Sequence, residues 1–204
     1  MLRKVLASAV FALALVASAA DFDVRAFGAK GDGVTKDTAA VQAAVIQRTV
    51  DACAKAGGGR VVLTNGVFLT AAFRLRSNVE FQIAADAVLR GSSDLADYPE
   101  WDEVRGIANH DALPRMRNAC LMLADCVTNV AITGRGVIDA NGKSFVREKI
   151  GDWTGWQFER IVDPTKSMPR VCFFVGCRGV KVEDVTLING PAGWSYWIHD
   201  CDDV

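Results

Sequence analysis

The chain has 204 residues, half of them apolar and 23% charged, with 18 Gly, 5 Pro and a formal charge of −1. That composition excludes a disordered chain, a collagen and a small disulfide knot. The charge offers no basic excess for nucleic acid or an anionic membrane surface, and the length suits one domain or a piece of a larger one.

Residues 1–20 read as a secretory signal peptide. Arg3 and Lys4 form a basic start, Val5 to Val16 is an unbroken run of apolar and small residues, and Ala17-Ser-Ala19 supplies a small-x-small cleavage site. Cleavage is expected after Ala19 or Ala20. The run is shorter than the roughly 20 residues of a membrane span. Losing Arg3 and Lys4 takes the formal charge from −1 to −3, because residues 1–20 carry no acid. The mature chain is therefore expected to be exported, periplasmic or extracellular, with no membrane attachment after cleavage.

The six cysteines, at 53, 120, 126, 172, 177 and 201, form no short paired framework. Neither Cys120/Cys126 nor Cys172/Cys177 has zinc-knuckle spacing, and only His110 and His199 could assist. Most are expected to be buried thiols, with no metal and no cofactor.

In chain order, Phe22 to Ala26 reads as a short strand and Gly28-Ala-Lys-Gly-Asp-Gly33 as a turn. This glycine-rich stretch lacks both the P-loop ending and the dinucleotide spacing. A helix is expected next, N-capped by Asp37, with Val41, Val45, Ile46, Val50 and Cys53 near the 3.6-residue period; Gly57-Gly-Gly59 stops it. From Arg60 the pattern changes to short strands. Arg60–Leu63 and Gly66–Phe73 are followed by Asn78–Ile83 and Ala87–Leu89.

That last unit has echoes. Asn129-Val-Ala-Ile132 leads to Gly136-Val-Ile-Asp139, and Gly179-Val-Lys-Val182 leads to Asp184-Val-Thr-Leu187. The Val anchors at 79, 130, 180 and 204 are separated by 51, 50 and 24 residues, so one period of about 24–25 fits all three gaps if the long ones carry an insertion. Ahead of the anchors, Leu123, Phe174 and Ile198 each stand three positions before a Cys. Cys177 and Cys201 hold the same offset from their Val, with Cys126 one residue off. A rung of this length with two or three short strands fits a parallel β-helix. An antiparallel sandwich would need frequent hairpin turns, which are scarce after residue 66.

The motifs resemble those of a known family. Asp23–Thr38, Gly57–Val62 and Leu75–Val79 are similar to the opening segments of pectin-degrading β-helix enzymes. Gly134-Arg-Gly-Val-Ile-Asp-Ala-Asn-Gly142 and Val185–Trp194 resemble glycoside hydrolase family 28, the polygalacturonase-like hydrolases. The resemblance implies an all-β, right-handed parallel β-helix over residues 21–204, with an N-terminal amphipathic capping helix. It also implies a full-length, monomeric enzyme that hydrolyses pectic galacturonan with inversion.

The resemblance breaks in two places. Members pass from a stretch like Val41–Val45 almost directly to one like Asp51–Ala54, whereas Ile46–Val50 intervene here. Five residues turn a helix by about 140°, so the two halves are expected to present different faces unless the added turn loops out. Inverting chemistry also needs two carboxyls roughly 6.5–9.5 Å apart. The family's Asn-Thr-Asp, Gly-His-Gly and Arg-Ile-Lys motifs do not occur in the chain. The one adjacent pair of aspartates, Asp202-Asp203, falls where Thr128-Asn129 and Arg178-Gly179 stand in earlier rungs, which is a turn position.

No catalytic residue carries over, and the chain is expected to stop before the catalytic coils and to be inactive alone. Trp194, Tyr196 and His199 are the candidates for substrate contact, since aromatic faces suit sugar rings and a His can donate to a uronate carboxylate. Trp153 and Trp156 lie in an insertion. A β-helical adhesin or stalk is one alternative, though it would want trimerisation signals. A pectate-lyase-type enzyme is another, though it would want clustered aspartates for calcium and an arginine base.

Overall fold

The computed structural model describes residues 20–36, 45–101, 104, 119–148, 158–163, 168–190 and 195–204. The proposed signal peptide therefore lies outside the described residues except for Ala20, as do Asp37, Val41, Trp153, Trp156 and Trp194.

The strands stack into three parallel sheets. Sheet A holds β1 (Asp21–Asp23), β3 (Gly59–Leu63), β6 (Val79–Ile83), β9 (Thr128–Thr133) and β14 (Arg178–Val182). Sheet B holds β2 (Asp32–Lys36), β4 (Gly66–Thr70), β7 (Ala87–Gly91), β10 (Val137–Asp139) and β15 (Thr186–Ile188). Sheet C holds β5 (Phe73–Arg74), β8 (Cys120–Asp125), β13 (Arg170–Val175) and β16 (Tyr196–His199). The chain runs A to B to C and then steps up one coil, so coils one to four end in β5, β8, β13 and β16. This is the parallel β-helix that the repeats imply, and the right-handed one that the family resemblance implies.

Period-2 alternation sends every other side chain inward, and the register stacks equivalent positions. Val61, Phe81, Ile132 and Val182 form one ladder in sheet A. Phe68, Leu89, Ile138 and Leu187 form another in sheet B, and Phe73, Met122, Cys172 and Tyr196 a third in sheet C. None of these side chains closes a core within its own coil; stacking on the next coil does so.

The turn from sheet C back to sheet A repeats as well. Asn78, Asn129, Gly179 and Asp203 occupy it in successive coils, all left-handed, with φ of 61°, 52°, 68° and 56°. Asn and Asp tolerate this region better than other side-chain-bearing residues. Asp203 is thus a turn residue, and Asp202 forms an exposed 3.2 Å ion pair with Arg178 one coil below.

Both long insertions leave at the corner between sheets B and C, one after β7 and one after β10. The first places Tyr98 edge-on against Phe145 of the second, with centroids 5.8 Å apart. The second also forms a two-stranded antiparallel hairpin, β11 (Val146–Glu148) with β12 (Phe158–Arg160). In the fourth coil only residues 189–195 span this corner.

Helix α1 (Val45–Lys55) covers one end of the stack, burying Val45, Ile46, Thr49, Val50 and Cys53. The periodic face read at Val45, Ile46, Val50 and Cys53 is therefore the buried one, while the stretch before Val45 lies outside the described residues. Ile46–Val50 are helical and supply most of the buried face, because 45, 46, 49, 50 and 53 fall on one side at 100° per residue. Gln47 docks the helix on β5, donating to the Arg74 carbonyl at 3.1 Å and accepting from the Arg74 N–H at 2.7 Å.

Candidate functional site

Sheet C is buried on both faces. Its inner face joins the main core. Its outer face carries a second apolar cluster of Cys120, Leu123, Phe173, Val175 and Trp197, roofed by Trp101 and Val104 of the first insertion. Strand register explains this surface. Arg74, Leu123, Phe173 and Trp197 form one outward row, and Asp125, Val175 and His199 the next.

Phe173 and Trp197 stack nearly parallel, with centroids 4.1 Å apart and planes 9° apart. The Arg170 guanidinium lies over the Trp197 ring at 4.4 Å, and that of Arg74 over Trp101 at 4.7 Å. Both cations trade water for aromatic faces. Burial lowers Arg170 below the usual guanidinium value, partly countered by Cys120. Burial also pushes the Cys120 thiol up to about 12. Asp125, 6% exposed, has Arg74 Nη1 at 3.8 Å. The aromatic pair is itself buried, Phe173 at 0% and Trp197 at 7% exposure, so what this face offers at its margin is cationic: the Arg74 and Arg170 guanidiniums laid over aromatic rings. Asp125 is the one carboxylate in the four strands of sheet C, so these strands hold no acid and base pair.

His199 ends the second outward row, half-buried, two strands from Asp125 and so about 10 Å away along the stack. Tyr196 takes an inward position beside Cys172, and its ring packs against the main core. Burial pushes its hydroxyl up to about 12. Tyr196 and His199 therefore sit on different faces of β16, and the aromatic that shares the outer face with His199 is Trp197. Trp197, Arg170, Arg74 and Asp125 were not singled out from sequence. A signal was present: once Ile198 is aligned with inward Phe174, alternation turns Trp197 and His199 outward.

The glycine-rich motifs are explained by packing between coils. Gly134 has φ of 101°, and a Cβ there would stand 2.2 Å from the Ile83 carbonyl oxygen. At Gly142 it would stand 2.5 Å from the Gly190 carbonyl oxygen. Asp139, nearly buried between them, accepts from Arg90 Nε at 3.0 Å, Asn189 Nδ2 at 2.9 Å and the Asn141 N–H at 3.1 Å. Residues 137–142 and 186–190 are thus two sides of one inter-coil contact, while Gly134 fits against Ile83 of the coil before.

An open groove of about 510 Å³ lies on the outer face of sheet A, between Glu80, Gln82, Thr133, Lys181 and Glu183. Its charges satisfy one another: Thr133 donates to Glu80 at 2.6 Å, and Lys181 pairs with Glu183 at 2.6 Å. Among the described residues no three His, Cys, Asp or Glu side chains are placed to hold a metal ion, and no helix is long and apolar enough to cross a membrane.

No protein-family model matches the chain. An exo-poly-α-D-galacturonosidase from Dickeya chrysanthemi is 34% identical over 123 residues, which is 59% of this chain and 19% of that protein. A probable polygalacturonase from Vitis vinifera is 28% identical over 167 residues, 81% of this chain and 32% of that protein. The chain is similar to polygalacturonases. It spans less than a third of the length of either relative. The family 28 exopolygalacturonase of Yersinia enterocolitica superposes with a TM-score of 0.65 over 89% of this chain and 38% of its own, at 20% identity, a likeness of fold. The polygalacturonase likeness in sequence and the shared β-helix agree with the motif resemblance at 134–142 and 185–194.

Proposed function

We propose that this chain forms coils of an exported glycoside hydrolase that cleaves pectic galacturonan with inversion, and that these coils supply scaffold and substrate contact rather than the acid and base. The observation that carries the reading is the outer face of sheet C, where the Arg74 and Arg170 guanidiniums and His199 stand on the same side of the sheet, around a buried aromatic cluster. Polyuronate chains carry one carboxylate per sugar, and guanidinium groups recognise carboxylates by paired, charge-assisted donation. The sequence relatives, named for polygalacturonan cleavage, support the same substrate class.

His199 is the residue we place against the uronate, with Trp194 kept as the ring contact; the Tyr196 ring packs against the main core on the other face of β16. With one carboxylate in the strands of this face, the 204-residue chain alone is expected to release no reducing ends from polygalacturonate. Residues 1–20 act as the export leader in this reading, and the mature full-length enzyme is a monomer.

Binding of oligogalacturonate and of a neutral galactan oligomer, compared by calorimetry at two salt concentrations, tests the proposal. The expected result is salt-sensitive binding of the uronate, weakened about tenfold by His199→Ala, with no binding of the neutral sugar. Equal affinity for both sugars, or uronate affinity unchanged by the substitution, would overturn it.

A further inference from the structure

We propose that Cys177 and Cys201 are a disulfide-forming pair that staples the third coil to the fourth. Cys177 follows β13 and Cys201 follows β16, separated by 24 residues. The flanking register is unbroken: Val175 pairs with His199, and Arg178 with Asp202. The two cysteines are therefore directly stacked. Neighbouring parallel strands lie about 4.8 Å apart, within the roughly 4.4–6.8 Å separation of Cα atoms in disulfides.

The Cys177 N–H donates to Cys201 Sγ at 3.4 Å, which seats the Cys201 sulfur against the backbone of Cys177. Cys177 Sγ also lies 3.3 Å from the carbonyl oxygens of Ala124 and Val175, and Cys201 Sγ lies 3.3 Å from that of His199.

The other cysteines do not stack in this way. Cys126 is exposed and left-handed, one residue out of phase, so Val127 stands beneath Cys177. Cys172 faces the core beside Tyr196, Cys120 lies under Trp101, and Cys53 is on the helix.

The pair is also asymmetric. Cys177 is 2% exposed, whereas Cys201 is partly accessible. Cys201 meets the oxidant first, and Cys177 resolves. With glutathione disulfide as oxidant, the Cys201 thiolate attacks one sulfur and expels a glutathione thiolate, which takes the proton that Cys201 gave up. Cys177 then loses its proton and attacks the Cys201 sulfur, expelling the second glutathione, which takes that proton. Two protein thiols are oxidised, and one glutathione disulfide is reduced to two thiols. Burial pushes the Cys177 thiol up to about 11, which makes the second step the slow one.

The bond would tie β16, with Trp197 and His199, onto β13. The test uses the reduced 204-residue chain incubated with glutathione disulfide, then denatured for thiol counting and digested without reductant. The expected result is loss of two of the six thiols and a joined pair of tryptic fragments, 171–178 with the one containing Cys201, absent in Cys201→Ser and unchanged in Cys126→Ser. Hydrogen exchange in β16 is expected to slow at least tenfold on oxidation. Retention of all six thiols, a stable glutathione adduct on Cys201, or a bond joining Cys126 or Cys172 would overturn the proposal. Fragment 171–178 holds both Cys172 and Cys177, so fragmentation of the joined wild-type pair must place the link; a link at Cys177 supports the proposal and one at Cys172 overturns it, even should a variant misfold.

Discussion

Asn129 donates its side-chain amide to the Asn78 side-chain carbonyl at 3.1 Å, and both residues are left-handed, with φ of 52° and 61°. One residue type thus meets two demands at the turn between sheets C and A. It accepts the backbone conformation, and it links one coil to the next. Asn129→Ala is expected to cost about 1–2 kcal/mol and Asn129→Gly about half as much, because glycine keeps the turn and loses only the link. Urea denaturation of the two variants separates the contributions.

Gly179 stands in the same ladder at φ 68°, and an added Cβ would lie 3.1 Å from Asn129 Oδ1. Gly179→Asn is expected to extend the amide ladder by one coil after a small shift of Asn129. The melting temperature should rise by a few degrees, consistent with about 0.5–1 kcal/mol. Gly179→Val, β-branched in a left-handed turn, should lower it.

Asp139 gathers three donors from two coils while almost buried. Asp139→Asn removes the charge that Arg90 faces and puts amide hydrogens against donors. A loss of about 2–3 kcal/mol is expected. Arg90→Ala should cost less, about 1 kcal/mol, because Arg90 is 40% exposed and screened by water. Chemical denaturation midpoints check both.

Asp32 accepts from the Val34 and Thr35 N–H groups and from the Thr35 hydroxyl, which hold its carboxyl down to about 2 from an ordinary 3.8. A lowered carboxylate stabilises the fold above its unfolded value, and the contribution fades as pH falls through the folded one. The melting-temperature gap between wild type and Asp32→Asn should therefore be full above pH 3.8 and disappear as the pH approaches about 2.

The Ala20 carbonyl oxygen accepts the Arg60 N–H at 2.9 Å, at the start of sheet A. Of the two cleavage points expected from Ala17-Ser-Ala19, the one after Ala19 keeps this bond. Terminal sequencing of secreted protein is expected to begin at Ala20; a start at Asp21 would count against it.

The stack was legible in sequence because equivalent positions of successive coils face the same environment. The Val anchors at 79, 130 and 180 do stack, and the excess length does leave the coils at a corner. The turn assignment of Asp202-Asp203 followed from the same alignment. The buried face of the helix was legible from spacing alone: Val45, Ile46, Val50 and Cys53, which the 3.6-residue period marks, are buried, although Ile46–Val50 break the family pattern. The candidate site was only half legible. Tyr196 and Trp197 are equally aromatic, and only the phase of β16 separates core from surface. Arg170 and Arg74 gave no sequence signal, because what distinguishes them is the ring beneath each guanidinium.

Both long insertions depart from one corner, and Tyr98 and Phe145 bring them together there, against the main core. Residues can be added or removed there without changing how any strand aligns with its neighbours. The roof over the aromatic floor can therefore diverge quickly while the three ladders beneath it stay as they are. Chains sharing this spine can differ in what covers the outer face of sheet C through changes confined to the loops at that corner.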